Sequence, residues 1–153
     1  MADLPFIDDH HIRVAAPAGD VWAALGRHLA GAMAANNSVV VALLSARPPA
    51  AHGDPLQLGS ALSGFAVTAA DPQRRLELTG QHRFSQYQLV FTLTTENNDT
   101  GLSARSSARF PGLLGCAYRA LVVGSGGHRV VVSRMIRTIA RSAEKRGARA
   151  LPS

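Results

Sequence analysis

The chain has 153 residues, 46% of them hydrophobic, 17% charged and 5% aromatic, with a formal net charge of +6. That balance excludes a disordered chain, and the single cysteine, Cys116, excludes an intramolecular disulfide. A chain of this size buries roughly two-thirds of its unfolded surface without metals or disulfides, so one domain over residues 1–153, with its core at about 7–146, is expected.

The opening Met1-Ala2-Asp3-Leu4-Pro5 lacks the basic and apolar regions of a signal peptide, and a cytoplasmic location is the expectation. His10 to Ala16 reads as a strand, with Ile12 and Val14 on one face and His11 and Arg13 on the other; the residues before it read as a polar lead. Pro17 and Asp20 then mark a helix start, and Val21, Trp22, Leu25 and Leu29 repeat at helical spacing over about Ala18 to Ala34. Asn36, Asn37 and Ser38 end that helix and sit inside the uncharged stretch Leu29 to Ala46, which is therefore not a transmembrane segment.

Val39 to Leu44 is read as a second short helix, and Arg47 to Pro55, with three prolines and Gly53, as a loop. From Leu58 the period becomes two. Leu58–Ala69, Arg74–Gly80, Arg83–Glu96 and Leu102–Phe110 read as an antiparallel meander, with turns at Asp71-Pro72, at Gly80 to His82 and at Asn97 to Gly101. Tyr87, Leu89, Phe91 and Leu93 share one face of the third of these strands, and Gln86, Gln88, Thr92 and Thr94 the other, so the sheet is wet on one side.

From Pro111 to Arg146 the apolar positions Leu114, Ala117, Tyr118, Leu121, Val132, Met135, Ile136, Ile139 and Ala143 keep one helical phase. Leu114 and Val132 stand five helical turns apart, so one continuous or gently kinked helix is expected. Gly124-Ser125-Gly126-Gly127-His128 interrupts it and places Ser125 and His128 on the inward face. Glycines there let the sheet, a ligand or a second subunit approach closely, which leaves a homodimer open. Arg134, Arg137, Arg141 and Lys145 form a basic stripe, read as a solvated face.

The glycine patch imitates a dinucleotide-binding turn, but its third glycine is displaced and no strand or ribose-binding acid follows. With one cysteine and no spaced cluster of ligands, neither a metal nor another cofactor is expected. Arg83 has the parity of Tyr87 and Phe91, which puts its guanidinium at the rim or interior of the sheet, facing either Glu77 or an acidic group on a ligand. Histidine suits proton transfer near neutrality, which singles out His128, with Tyr118 or Tyr87 as its nearest acid–base companions. No inward carboxylate is evident, and no residue is assigned a catalytic role.

The strand running into Ala16-Pro17-Ala18-Gly19-Asp20-Val21-Trp22, then Gly64-Phe65, His82-Arg83-Phe84-Ser85 and the terminal helix, resembles the helix-grip superfamily. That group includes polyketide cyclases and dehydrases, START lipid-transfer domains and birch-pollen-allergen-like proteins. The resemblance runs from about Ile7 to Arg146, although five strands are counted here against the usual seven. It implies an α+β fold in which a curved antiparallel sheet wraps a long C-terminal helix, with a ligand gripped between them. The implied function is binding or carriage of a small hydrophobic or acidic-amphipathic molecule. The alternatives are a cyclase- or dehydrase-type enzyme using the same cavity and, less favoured, a basic module for nucleic acid or anionic membrane; no specific nucleic acid is expected. Trp22, Arg83, Tyr87, Phe91, Tyr118, Ser125 and His128 are the candidate ligand contacts.

Overall fold

The structure, a computed structural model, describes residues 3–34, 48, 50–62 and 64–150. The first strand, β1 (Phe6–Val14), starts earlier than the alternation at residue 10 implies. Asp8, His10, Ile12 and Val14 turn inward while Asp9, His11 and Arg13 face out, so part of the expected polar lead belongs to the strand. A register shift between Phe6 and Asp8 inserts Ile7, and both Ile7 and Asp8 then lie on the inner side. Helix α1 (Ala18–Ala34) has the expected bounds and buries Val21, Ala24, Leu25 and Leu29. The helix read over Val39–Leu44 lies outside the described residues.

The meander comprises β2 (Ala61–Leu62), β3 (Phe65–Asp71), β4 (Arg75–His82), β5 (Ser85–Glu96) and β6 (Asp99–Arg109). The strands form one antiparallel sheet in the order β1-β6-β5-β4-β3-β2. The single strand expected over Leu58–Ala69 is two, because a turn at Gly64 folds it back on itself. The β4–β5 turn falls at Arg83 and Phe84 rather than at Gly80 to His82. Gly80 lies within β4, where a Cβ would overlap the Gly64 carbonyl oxygen and the Tyr87 ring, so glycine serves close packing there and not chain reversal.

The expected continuous terminal helix is two helices, α2 (Gly112–Val122) and α3 (Gly127–Ala150). The Val123 and Gly124 N–H groups both close on the Arg119 carbonyl, and Gly126 takes a left-handed φ of +76°. The Ser125 hydroxyl then accepts the Gly127 N–H at 3.3 Å, and the Gly126 carbonyl accepts the Val130 N–H to open α3. The reversal of φ resets the helical phase. Val132, Ile136, Ile139, Ala140 and Ala143 of α3 are buried, whereas Leu114 and Leu121 of α2 are 69% and 72% exposed.

Helix α3 lies against β1 and α1. Glu144 Oε1 accepts the Ala15 N–H at 3.1 Å, Arg146 faces Asp20 at 3.7 Å, and Arg27 donates to Ser142 at 3.1 Å. With Phe91, Leu76, Leu78, Leu102 and Ala104 from the sheet and Leu25 from α1, the buried face of α3 closes the core. This is the α+β helix-grip architecture, with a curved sheet held against the long terminal helix. No helix among the described residues is long and apolar enough to cross a membrane.

Candidate ligand-binding site

Beneath α2 and the first turns of α3 the core does not fill the space. A cavity of about 430 Å³ remains, floored by residues from all six strands and roofed by α1, α2 and α3. Leu29, Leu62, Leu78, Leu89, Val132 and Met135 give it an aliphatic middle. Two clusters of polar side chains stand at or just behind its wall.

At the first, the β4–β5 turn brings His82, Ser85 and Tyr87 under Tyr118 of α2. The His82 ring lies 4.9 Å from that of Tyr118 and 5.5 Å from that of Tyr87, and Phe65 packs edge-on to Tyr87 at 4.7 Å. The Phe84 N–H donates to His82 Nδ1 at 3.1 Å, which makes Nδ1 an acceptor and leaves the proton of the neutral ring on Nε2, 2.9 Å from Ser85 Oγ. Burial lowers the His82 pKa in keeping with that neutral form, and burial does the same to His28 in the α1 wall. The Tyr87 phenol is pushed up to about 12, first by burial and then by the neighbouring Tyr118, whose own pKa is raised by burial.

At the second, β1 and β6 meet the start of α3. Asp8, 5% exposed, places Oδ2 3.3 Å from His10 Nε2, and His10 Nδ1 lies 3.2 Å from Ser133 Oγ. Asp8 Oδ1 lies 3.5 Å from His128 Nε2, an ion-pair separation longer than a hydrogen bond. Asp8 Oδ1, His128 Nε2 and the hydroxyl of Ser106, which pairs with Asp8 across the β1–β6 ladder, are buried without hydrogen-bond partners. The reading that no inward carboxylate exists is thus corrected: Asp8 is inward, and the period-two alternation back from Val14 through His10 was the signal for it.

Of the seven candidate contacts, the structure brings Tyr87, Tyr118 and His128 to the cavity wall. Phe91 is fully buried in the core and Trp22 packs against its edge, so neither reaches the cavity. Ser125 is exposed in the α2–α3 junction. Arg83 is exposed in the β4–β5 turn with its guanidinium 5.8 Å from the Phe84 ring. Strand parity does not extend into a turn, and Glu77 pairs with Arg75 at 2.6 Å instead. His28, Phe65, His82, Ser85, Ser106 and Phe110 also line the cavity, outside the seven candidate contacts, although Phe65, His82 and Ser85 belong to the phrases that carry the family resemblance.

A larger cleft of about 660 Å³ opens on the outer surface between α1 and α3, lined by Arg27, Arg141, Lys145, Arg146 and Arg149. Its walls carry charged and hydroxyl side chains and no aliphatic or aromatic residue, which fits an apolar molecule poorly. No group of three or more histidine, cysteine, aspartate or glutamate side chains among the described residues could hold a metal ion.

No protein-family model matches the sequence. No curated protein matches it either. Solved structures do resemble it. DynU16, a protein of the dynemicin biosynthetic locus, superposes with a TM-score of 0.55 at 20% identity; the match covers 89% of this chain but 46% of DynU16, so this chain spans under half of that protein. A conserved protein from Geobacillus kaustophilus gives a TM-score of 0.52 at 18% identity over 90% of this chain and 94% of its own. MLL2253 from Mesorhizobium loti gives 0.56 at 15% identity over 90% and 98%. Likenesses at such identities are likenesses of fold, and they agree with the helix-grip architecture described above.

Proposed function

We propose that the chain, acting as a single domain, binds and holds a small, largely apolar molecule between its sheet and its helices. The observation that carries this reading is the 430 Å³ cavity, whose volume falls within the range of small-molecule sites and whose wall is mainly apolar. The aliphatic middle takes the body of the ligand by area burial. Tyr87 and Tyr118 contact a ring or hydroxyl at one pole, and His128 contacts a polar group at the other. Arg83 supplies no anchor for an acidic end, because it lies outside the wall. The likeness in fold to a protein of the dynemicin locus supports a ligand drawn from small-molecule biosynthesis.

Native mass spectrometry of freshly purified protein, followed by denaturing extraction, tests the proposal together with titration of the neutral dye N-phenyl-1-naphthylamine. A stoichiometric apolar passenger, or saturable dye binding that the passenger displaces, is the expected result. A protein that carries nothing and leaves the dye dark overturns it.

A further inference from the structure

An apolar cavity needs no buried carboxylate, yet one stands behind its wall. Asp8 is held on one side by His10, which is itself braced by Ser133, and its other oxygen is turned to His128 with no hydrogen bond to satisfy it. Asp8 Oδ1 and His128 Nε2 face each other at 3.5 Å without a hydrogen bond, and the Ser106 hydroxyl, opposite Asp8 in the ladder, has no hydrogen-bond partner either. Buried polar groups left without a hydrogen bond are costly, which makes this grouping unusual for a purely structural wall. Directly beside Asp8, the register shift in β1 turns Ile7 to the inner side as well, and shifts of this kind re-aim side chains beside functional sites.

We propose that Asp8 and His128 form a proton-accepting pair, with His128 as the base and Asp8 as its positioning residue, acting on a carbon acid or acidic hydroxyl carried by the apolar ligand. This rests on the cavity being a ligand site. His128 lines the cavity with its side chain 28% exposed, and Nε2 is the nitrogen buried against Asp8. Asp8 therefore selects the tautomer with the proton on Nε2, which leaves the Nδ1 lone pair for the ligand. In the step, the ligand's C–H or O–H bond breaks and its proton passes to Nδ1. The bond's electron pair stays on the ligand, delocalised onto an adjoining carbonyl oxygen when the acid is a carbon acid. The Asp8 carboxylate stabilises the imidazolium. The step needs no oxidant or reductant. The 3.5 Å separation of the pair is of the kind that tightens when a ligand excludes water.

The test uses 5-nitrobenzisoxazole, a neutral bicyclic carbon acid. A base removes its ring C–H proton, that electron pair becomes part of a nitrile, and the N–O bond opens to a coloured phenolate. The full chain is expected to release phenolate faster than an equal concentration of free imidazole. His128→Ala should lose roughly 10²-fold of that rate, and Asp8→Asn about tenfold, with N-phenyl-1-naphthylamine binding retained in Asp8→Asn, whose side chain lies behind the wall. Nitrogen NMR of the unsubstituted chain provides a readout that a merely structural Asp8 would not govern: neutral His128 should carry its proton on Nε2, and Asp8→Asn should redistribute it. Dye binding with identical phenolate release by the parent and His128→Ala overturns the pair while leaving the binding reading intact, as does a proton found on Nδ1. Failure to bind dye or passenger removes the binding reading itself, and the pair with it.

Discussion

The Tyr87 hydroxyl donates to the Gly64 carbonyl, reaching from β5 across β4 to the turn that opens β3. Gly80, opposite Tyr87 in the ladder, makes room for that crossing. Gly80→Ala is expected to destabilise the chain by about 1–3 kcal/mol through overpacking. Tyr87→Phe should cost about 1 kcal/mol for the lost hydrogen bond. Urea midpoints of the two variants and the double variant check this; coupling is expected, since both changes act on one contact.

Stability should fall on both sides of neutrality for different reasons. Burial lowers the His28 and His82 pKa values, so the unfolded chain binds more protons than the folded one below the ordinary value of 6.5. Stability is whole above that value and declines as the pH drops through the window down to the folded pKa values. Tyr87, raised to about 12 from 10.0, acts in the opposite sense: its contribution is whole below 10 and is lost as the pH rises toward 12. Urea midpoints measured against pH should show both limbs, with the acid limb shallower in His82→Gln.

The break between α2 and α3 separates residues that one helical phase would treat alike. Ile139, fully buried, should cost about 2–5 kcal/mol as Ile139→Ala. Leu114, 69% exposed, should change stability by no more than about 0.5 kcal/mol as Leu114→Ala. Equal losses in thermal or urea denaturation would mean that α2 is docked in solution.

Filling the cavity should separate binding from folding. Ala108 of β6 is 6% exposed and lines the wall, so Ala108→Phe directs a ring into the space. Dye affinity is expected to drop by about tenfold or more, the loss of at least one buried contact worth roughly 1.4 kcal/mol, while the urea midpoint holds or rises. Unchanged affinity with unchanged stability would place the dye elsewhere.

The architecture was largely legible because binary patterns carried it. The helical repeat of Val21, Leu25 and Leu29 and the alternation of Tyr87, Leu89, Phe91 and Leu93 read directly onto buried faces. Periodicity failed where the chain changes direction. Counting from Tyr87 through a turn gives Arg83 a face it does not have, and counting through Gly126, whose positive φ no apolar pattern encodes, does the same for Leu114. Asp8 was passed over for another reason: polar residues near a terminus look like a lead until the opposite strand supplies them with a ladder partner, here Ser106. In the sequence His82 is a turn residue and part of a family-like phrase, and the engagement of both its ring nitrogens is a three-dimensional fact.

The extra residue in β1 also decides which changes of chain length this edge strand tolerates. Asp8 and Val14 face the same way because an even number of steps separates them, and Val14 is anchored in the core. Losing or gaining one residue anywhere from Asp9 to Arg13 makes that count odd and sends the carboxylate to solvent. Loss of Ile7 leaves the count untouched and merely straightens the ladder, with Phe6 still turned outward over Arg105. Length variation should therefore be harmless on one side of Asp8 and ruinous on the other, whatever residues are inserted or removed.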